Sequence, residues 1–247
     1  VKGEEAKKLF DDGQIYLRKI IEDKLIIAKA VFGLFPAVSA GDDVKVIETK
    51  STFCFLRNQE QKEKGINNLS LADYIAPEST GIIDNIGAFV VTAGLDESGT
   101  DKYKDDDYAM IMIRILSDRL AEAAAEWLHA KIRREYWGYA SEENLSVEEM
   151  IKQKYKGIRP APGYPACPDH TEKRVIFDIL EAEKRIGARL TENFAMVPAA
   201  AVSGYVFSHS QSAYFNIGKI GQDQLKEYAS RKMMTIEEAA KWLAPNL

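Results

Sequence analysis

The sequence predicts an α+β fold, a single domain in which a largely antiparallel, twisted sheet packs against long helices. Three observations carry that expectation. Candidate strands follow one another with no helix between them, which argues against a doubly wound parallel sheet. Two long stretches, 4–24 and 107–136, place apolar residues at helical spacing. No internal repeat or low-complexity linker interrupts residues 1–247.

Taken in order, residues 4–24 read as an amphipathic helix. Ala6, Leu9, Phe10, Leu17, Ile20 and Ile21 share one face, with Lys7, Lys8, Asp11 and Glu22 largely opposite. Residues 28–35 are a short apolar run ending at Pro36, the pattern of a buried strand. Gly41, Asp42 and Asp43 make a turn, and 44–48 with 52–56 read as a hairpin. Residues 57–64 are polar and belong on the surface, and 70–74 fit a helical turn that stops before Pro77. Residues 85–92 read as a strand with Gly87 inside it. Glycine in a strand marks a bulge or a close backbone approach.

The stretch 94–107 is polar and acidic and ends in Asp105, Asp106 and Asp107. Adjacent carboxylates point in different directions, and no calcium-loop spacing follows. They suit the first turn of a helix, where the dipole is positive. That helix runs over 107–136, with Met110, Ile113, Leu116, Leu120, Ala124 and Leu128 among its apolar residues. Glu122 sits beside small alanines, where a ligand or backbone could come close. On the residues alone, an ordinary exposed glutamate one turn from Arg119 is the simpler reading. Gly138, among Tyr136, Trp137 and Tyr139, ends the helix.

Ser146 and Glu149 form a capping box for a helix to about Lys156, which Gly157 stops. Asp169 and Glu172 open another, with Val175, Ile176, Ile179, Leu180 and Ile186 as its apolar face. Lys184, Arg185 and Gly187 end it. Strands are expected at 191–195, 199–207 and 214–220. Thr235 and Glu238 cap a last helix that ends at Ala244.

Composition excludes several functions. With 46% hydrophobic and 29% charged residues the chain can bury a core of useful size. The net charge of −5 argues against a nucleic-acid binder. No apolar run approaches the ~20 residues that span a bilayer. No charged-then-apolar signal opens the chain, so cytoplasmic residence is expected. The two cysteines, Cys54 and Cys167, lie far apart and fit a reducing compartment. Cys167 and His170 are a lone Cys-x-x-His pair, too few ligands for zinc, so no metal is expected. The absence of a Gly-x-Gly-x-x-Gly turn and of a Walker A motif sets aside Rossmann and P-loop sites. The first residue is Val, not Met, which fits a piece of something longer.

Residues 159–170 read Arg-Pro-Ala-Pro-Gly-Tyr-Pro-Ala-Cys-Pro-Asp-His. Four of the eight prolines fall here, at Pro160, Pro162, Pro165 and Pro168. Each fixes its own φ and pushes the residue before it towards extended geometry. The stretch is therefore a stiff, extended loop that holds its polar groups in place before a ligand arrives. By composition alone, a rigid connector between helices fits as well as a binding loop.

This loop, with the Thr-Glu-Lys that follows it, resembles the C-terminal activation domain of cobalamin-dependent methionine synthase. Matching pieces are Gly-Leu-Phe-Pro-Ala (33–37), Leu-Ala-Asp-Tyr-Ile-Ala-Pro (71–77), Ile-Gly-Ala-Phe (86–89) and Asp-Arg-Leu-Ala-Glu-Ala (118–123). Tyr-Trp-Gly-Tyr-Ala (136–140), Phe-Ala-Met (194–196), Val-Ser-Gly (202–204) and the closing Trp-Leu-Ala-Pro-Asn-Leu continue the match across essentially the whole chain.

The resemblance implies a module that binds S-adenosylmethionine and presents its methyl group to cobalamin held by a neighbouring domain. In the family this happens when the cofactor has been oxidised to cob(II)alamin, with an electron from flavodoxin or a diflavin reductase. By motif match, Arg159 takes the ligand's carboxylate and Ala161 offers backbone contacts. Tyr214 and Phe215 are the aromatic pair lining the site, Phe215 standing where tyrosine is also found. Glu122 is the site carboxylate, and Tyr164 faces ligand and corrin. No catalytic side chain is implied, because the sulfonium already activates the methyl group.

The family domain starts further upstream, with a segment that adds an acidic residue and aromatics to the site. Residues 1–247 hold no match to that segment, nor to the family's cobalamin-, folate- and homocysteine-binding modules. A stand-alone protein that reactivates a separate corrinoid protein would use the same loop, and the encoding reading frame separates these two readings. A protein–protein docking module whose ligand site has decayed is a third, which calorimetric titration with S-adenosylmethionine separates from both.

Overall fold

The computed structural model describes residues 2–95 and 101–247. Residues 96–100 of the acidic stretch lie outside the described residues. Helix α1 (Lys2–Glu22) leads into β1 (Ile26–Ala40) and a hairpin of β2 (Asp43–Val46) and β3 (Thr52–Cys54). Two 3-10 turns, Leu71–Tyr74 and Glu78–Thr80, precede β4 (Asp84–Leu95). Helix α2 (Asp107–Lys131) continues into a π-helical turn at Ile132–Tyr136. Short α3 (Val147–Ile151) comes before the proline-rich loop, and α4 (Glu172–Ile179) and α5 (Ala182–Ile186) after it. Strands β5 (Arg189–Leu190), β6 (Met196–Val197) and β7 (Ala201–Val206) follow. Helices α6 (Gln222–Arg231) and α7 (Ile236–Trp242) and a 3-10 turn at Ala244–Asn246 close the chain.

The main sheet has the order β3-β2-β1-β4-β7, antiparallel throughout. The expected α+β class is the one observed. Strand β4 lies between β1 and β7, with Val90 opposite Val31 on one side and Ser203 on the other. Its side chains alternate between two layers. Ile86, Ala88 and Val90 join Tyr205, Phe207, Ile176 and Phe177 in the main core. Phe89 and Val91 pack instead on Ala125, Leu128 and Ile132 of α2 and its π turn. A strand covered on both faces reads as a continuous apolar run, which is why 85–92 is legible as a strand.

Several element boundaries differ from expectation, each for a local reason. The first strand runs on through Pro36, whose carbonyl accepts from the Ile47 N–H at 2.9 Å. Helix α1 buries Ile20 beside half-buried Tyr16 and Leu17, against Ile113, Leu116 and Leu120 of α2. Leu9, Phe10 and Ile21, assigned by spacing to the packing face, are exposed, Phe10 by 65%. The capping box forms, with Ser146 N–H donating to Glu149 Oε2 at 3.0 Å, but α3 stops at Ile151. Gln153 has φ 54°, which ends the helix before Lys156. The helix expected through Gly187 breaks at Glu181, at φ 48°, and restarts as α5.

Residues 191–195 are a turn between β5 and β6, with Thr191 N–H donating to the Ala195 carbonyl at 2.9 Å. Residues 214–220 form no strand. Their backbone is satisfied singly, by Ile217 N–H to Pro165 (2.9 Å) and Ile220 N–H to Asn246 (2.9 Å). Helix α6 is unanticipated. The acidic run behaves as expected: Asp106 caps α2, accepting from Ala109 N–H at 2.9 Å.

Polar groups buried under the main core tie the loop to the C-terminal helices. Lys232, just past α6, pairs with Glu172 and lies 3.7 Å from Asp169. Glu172 also accepts from Cys54 N–H and the Tyr205 hydroxyl, both at 3.2 Å. Asp169 accepts from the Tyr228 hydroxyl at 2.7 Å. Burial opposes the Lys232 ammonium, yet Glu172 and then Asp169 hold its pKa above the ordinary value. Burial pushes Glu172 upward as well, against the pull of Lys232. The two shifts favour opposite charge states of the pair. Three donors converge on the Glu172 carboxylate, so we assign the ionised pair. Removing one partner of a buried pair strands the other charge. Lys232→Ala should therefore cost about 3–5 kcal/mol of stability, measured by urea denaturation. A loss below about 1 kcal/mol would place the pair in the weak, surface class.

Candidate functional site

The proline-rich loop is laid along β7. Ile158 and Phe207 exchange two backbone hydrogen bonds, each 3.0 Å, and Tyr205 N–H donates to the Pro160 carbonyl at 2.9 Å. Prolines lack donors but keep acceptors, so the loop can take hydrogen bonds from β7. Gly204 makes the approach possible, since a Cβ there would sit 2.6 Å from the Pro160 carbonyl oxygen. The loop then turns tightly. Gly163 N–H donates to Cys167 (2.7 Å) and Cys167 N–H to Tyr164 (2.9 Å). Gly163 has φ 94°, and a Cβ on it would run into the His170 imidazole.

That imidazole is a packing group. Its Nδ1 lies 2.9 Å from Lys173 Nζ, whose ammonium donates to it. Burial and then the Lys173 charge hold the His170 pKa below its usual value. His129 is also buried and packs edge-on against Tyr155, with ring centroids 5.0 Å apart.

Arg159 is held at both ends. Its backbone N–H donates to the Tyr214 hydroxyl at 3.0 Å, and that hydroxyl lies 3.4 Å from the Tyr155 hydroxyl. Its side chain reaches α2, where Nη2 donates to Glu126 Oε2 at 3.0 Å. Burial works against the cation, and the charge and hydrogen bond of Glu126 turn the balance, so the pKa lies above its ordinary value. The Tyr155 hydroxyl is pushed up by burial and by its contact with Tyr214. The segment carrying Tyr214 and Phe215 is fastened to the loop by the Ile217–Pro165 bond. Phe215 is half-buried and packs on two core clusters. Tyr164 and Tyr214 stay open to solvent, by 59% and 39%.

Glu122, Arg159, Ala161, Tyr164, Tyr214 and Phe215 all line one cavity of about 400 Å³. A volume of this order suits a small-molecule ligand. The cavity also takes in Glu126 and Tyr155, which sequence reasoning missed. Glu126 follows Glu122 by four residues, so both project from one face of α2, and that spacing was a usable signal. Tyr155 sat in a stretch expected to be helical and gave no signal. Two other hollows are as large, at about 440 and about 480 Å³. They surround Arg57, whose guanidinium is already paired with Asp42 and Asp73.

The cavity brings together one guanidinium, two carboxylates and a wall of aromatic and apolar groups. That set suits a ligand with a zwitterionic end and a flat or cationic end. Cys167 is fully buried, and burial followed by the Glu172 charge raises its pKa well above the ordinary value. Among the described residues no group of three or more His, Cys, Asp or Glu converges as a metal set, and no helix is long and apolar enough to cross a membrane.

The sequence model of the family described as vitamin B12 dependent methionine synthase, activation domain, matches residues 1–233. The chain belongs to that family, a module of a cobalamin-dependent methyltransferase. It is similar to a solved structure described as "Crystal Structure of the MetH Reactivation Domain bound to AdoHcy". The two share 50% identity with a TM-score of 0.91, covering 100% of this chain and 78% of that one.

Both cysteines are buried, and burial raises the pKa of Cys54 too, aided by Glu172. Only the thiolate reacts. A thiol reagent should therefore modify the native protein about a hundredfold more slowly than the urea-unfolded chain. Equal rates, read by absorbance of the released chromophore, would mean that this part of the core opens freely.

Proposed function

We propose that this domain binds S-adenosylmethionine in the Arg159 cavity and presents its methyl group to cob(II)alamin held by a neighbouring domain. The observation that carries the reading is the convergence of Arg159, Glu122, Tyr214 and Phe215 on one cavity. The family and the AdoHcy-bound relative support it. Arg159 takes the carboxylate of the amino-acid end, for which a planar guanidinium is suited. Glu122 takes the ammonium. Tyr214 and Phe215 give their faces to the adenine and the sulfonium. Ala161 offers backbone contacts beside them.

The sulfonium supplies an electrophilic methyl group, and one electron from flavodoxin or a diflavin reductase completes the conversion of cob(II)alamin to methylcobalamin and S-adenosylhomocysteine. The domain's own task is orientation, worth most when the acceptor is held in line. Tyr164, exposed at the mouth, packs on the corrin as the domains meet. The contact is weak when the domains are separate, because in one chain the linker supplies the effective concentration.

Calorimetric titration of the full-length enzyme with S-adenosylmethionine tests the site. Arg159→Ala should weaken binding by about 1.5–3 kcal/mol, and Arg159→Lys should recover only part of it. Unchanged dissociation constants in both variants would remove Arg159 from the ligand.

Tyr164→Ala separates binding from presentation. At saturating S-adenosylmethionine and with a reductase present, it should slow reactivation more than it weakens binding. Wild-type reactivation rates would leave Tyr164 without a part in the docked state.

A further inference from the structure

We propose that Glu126 is a positioning residue for the ligand's carboxylate, acting through Arg159 and not by contact with the ligand. The proposal rests on the reading of the cavity as an S-adenosylmethionine site. Glu122 and Glu126 enter the cavity from one face of α2, a turn apart, but their surroundings differ. Glu122 is exposed and makes no ion pair among the described residues. Glu126 is half-buried and bound to Arg159. Its Oε2 accepts from Arg159 Nη2, while Oε1 is buried with no partner. The carboxylate is thus committed to the guanidinium through one oxygen, and its second oxygen has almost no surface open to an incoming ammonium.

A guanidinium is a rigid plane carrying five N–H donors. Holding Nη2 by a hydrogen bond therefore restricts where the other donors can point. Arg159 Nε is buried without a partner, and with one N–H of Nη2 committed to Glu126 the guanidinium still has donors for a carboxylate in the cavity. The backbone of the same residue is pinned by the Tyr214 hydroxyl. With main chain and side-chain tip both held, Arg159 has little rotamer freedom left to lose when a carboxylate arrives. Without Glu126, the guanidinium is untethered and must be ordered by the ligand itself. Its positive charge would then attract a carboxylate without directing it. Glu126 therefore sharpens recognition of one ligand group and leaves the rest of the ligand untouched.

The test compares three ligands on the full-length enzyme by calorimetry. S-adenosylmethionine and S-adenosylhomocysteine carry the carboxylate. Decarboxylated S-adenosylmethionine keeps the adenine, sulfonium and amine but lacks it. Glu126→Ala should weaken the two carboxylate ligands by about tenfold, the scale of one well-placed hydrogen bond. It should leave the decarboxylated ligand unchanged, which also reports an intact cavity. Glu126→Gln keeps an acceptor for Nη2 and should fall between wild type and Glu126→Ala. Equal losses for all three ligands would overturn the proposal, because they mean contact with the ammonium or a general structural role. No loss for any ligand would overturn it too. If wild-type enzyme bound none of the three, the cavity reading itself would fail and this proposal with it.

Discussion

The Glu172 carboxylate joins four parts of the chain that are distant in sequence. It belongs to the first turn of α4, and it accepts from β3 through Cys54, from β7 through Tyr205 and from the end of α6 through Lys232. It is fully buried, so water cannot replace any of these donors. A charge left in such a place without partners costs several kcal/mol. The constraint runs both ways: the sheet, the loop and the C-terminal helices must all be in place for the carboxylate to be tolerated. Asp169, three residues earlier, repeats the arrangement at the end of the proline-rich loop, with Tyr228 and Thr171 as donors. The loop is therefore anchored in the core just where its prolines stop.

At its other end the loop is anchored by backbone hydrogen bonds to β7 and by the Tyr214 hydroxyl. Between these anchors the prolines limit the remaining freedom. The cavity wall inherits that rigidity. Arg159 and Ala161 come from the loop, Glu122 and Glu126 from α2, and Tyr214 and Phe215 from a segment fastened to the loop by one backbone bond. Helix α2 packs on the sheet through Ala125 and Leu128, so its carboxylates have a fixed distance to the loop. A site assembled this way is set before a ligand arrives, which lowers the ordering entropy that binding must overcome.

Much of this was legible in the sequence where a pattern had one physical cause. Strand β4 and the hairpin of β2 and β3 followed from apolar runs and turns, Ser146 and Thr235 from capping chemistry, and the start of α2 from its acidic run. The stiffness of the loop followed from its prolines. Legibility failed where the decisive interaction was non-local. Residues 214–220 have strand-like composition, but their partners are the Pro165 carbonyl and Asn246, which no local rule supplies. Glu181 and Gln153 adopt left-handed φ values although neither residue type favours them, so no local rule marks these breaks. On α1, many apolar positions fit one stripe, and only contact with α2 selects Ile20 over Phe10. In the cavity, Glu122, Arg159 and the aromatic pair were legible through resemblance, whereas Glu126 and Tyr155 emerge only from contacts.

The two tyrosines at the cavity illustrate why position on a rim does not fix a side chain's work. Both are partly exposed, and both are amphipathic rings with a polar tip. The Tyr214 hydroxyl is turned inward, where it meets the Arg159 N–H and the Tyr155 hydroxyl. Its ring is fixed by that commitment and serves as a wall. The Tyr164 hydroxyl has no such anchor among the described residues, and the side chain is the more exposed of the two. Its backbone, by contrast, is locked in the turn closed by Gly163 and Cys167. A free ring on a fixed main chain can adapt to a large flat partner without disturbing the groups that hold the small ligand. On the proposed reading, that is the division a presenting module needs. The inner groups settle where the methyl donor lies, and the outer ring absorbs the variation of a domain–domain encounter.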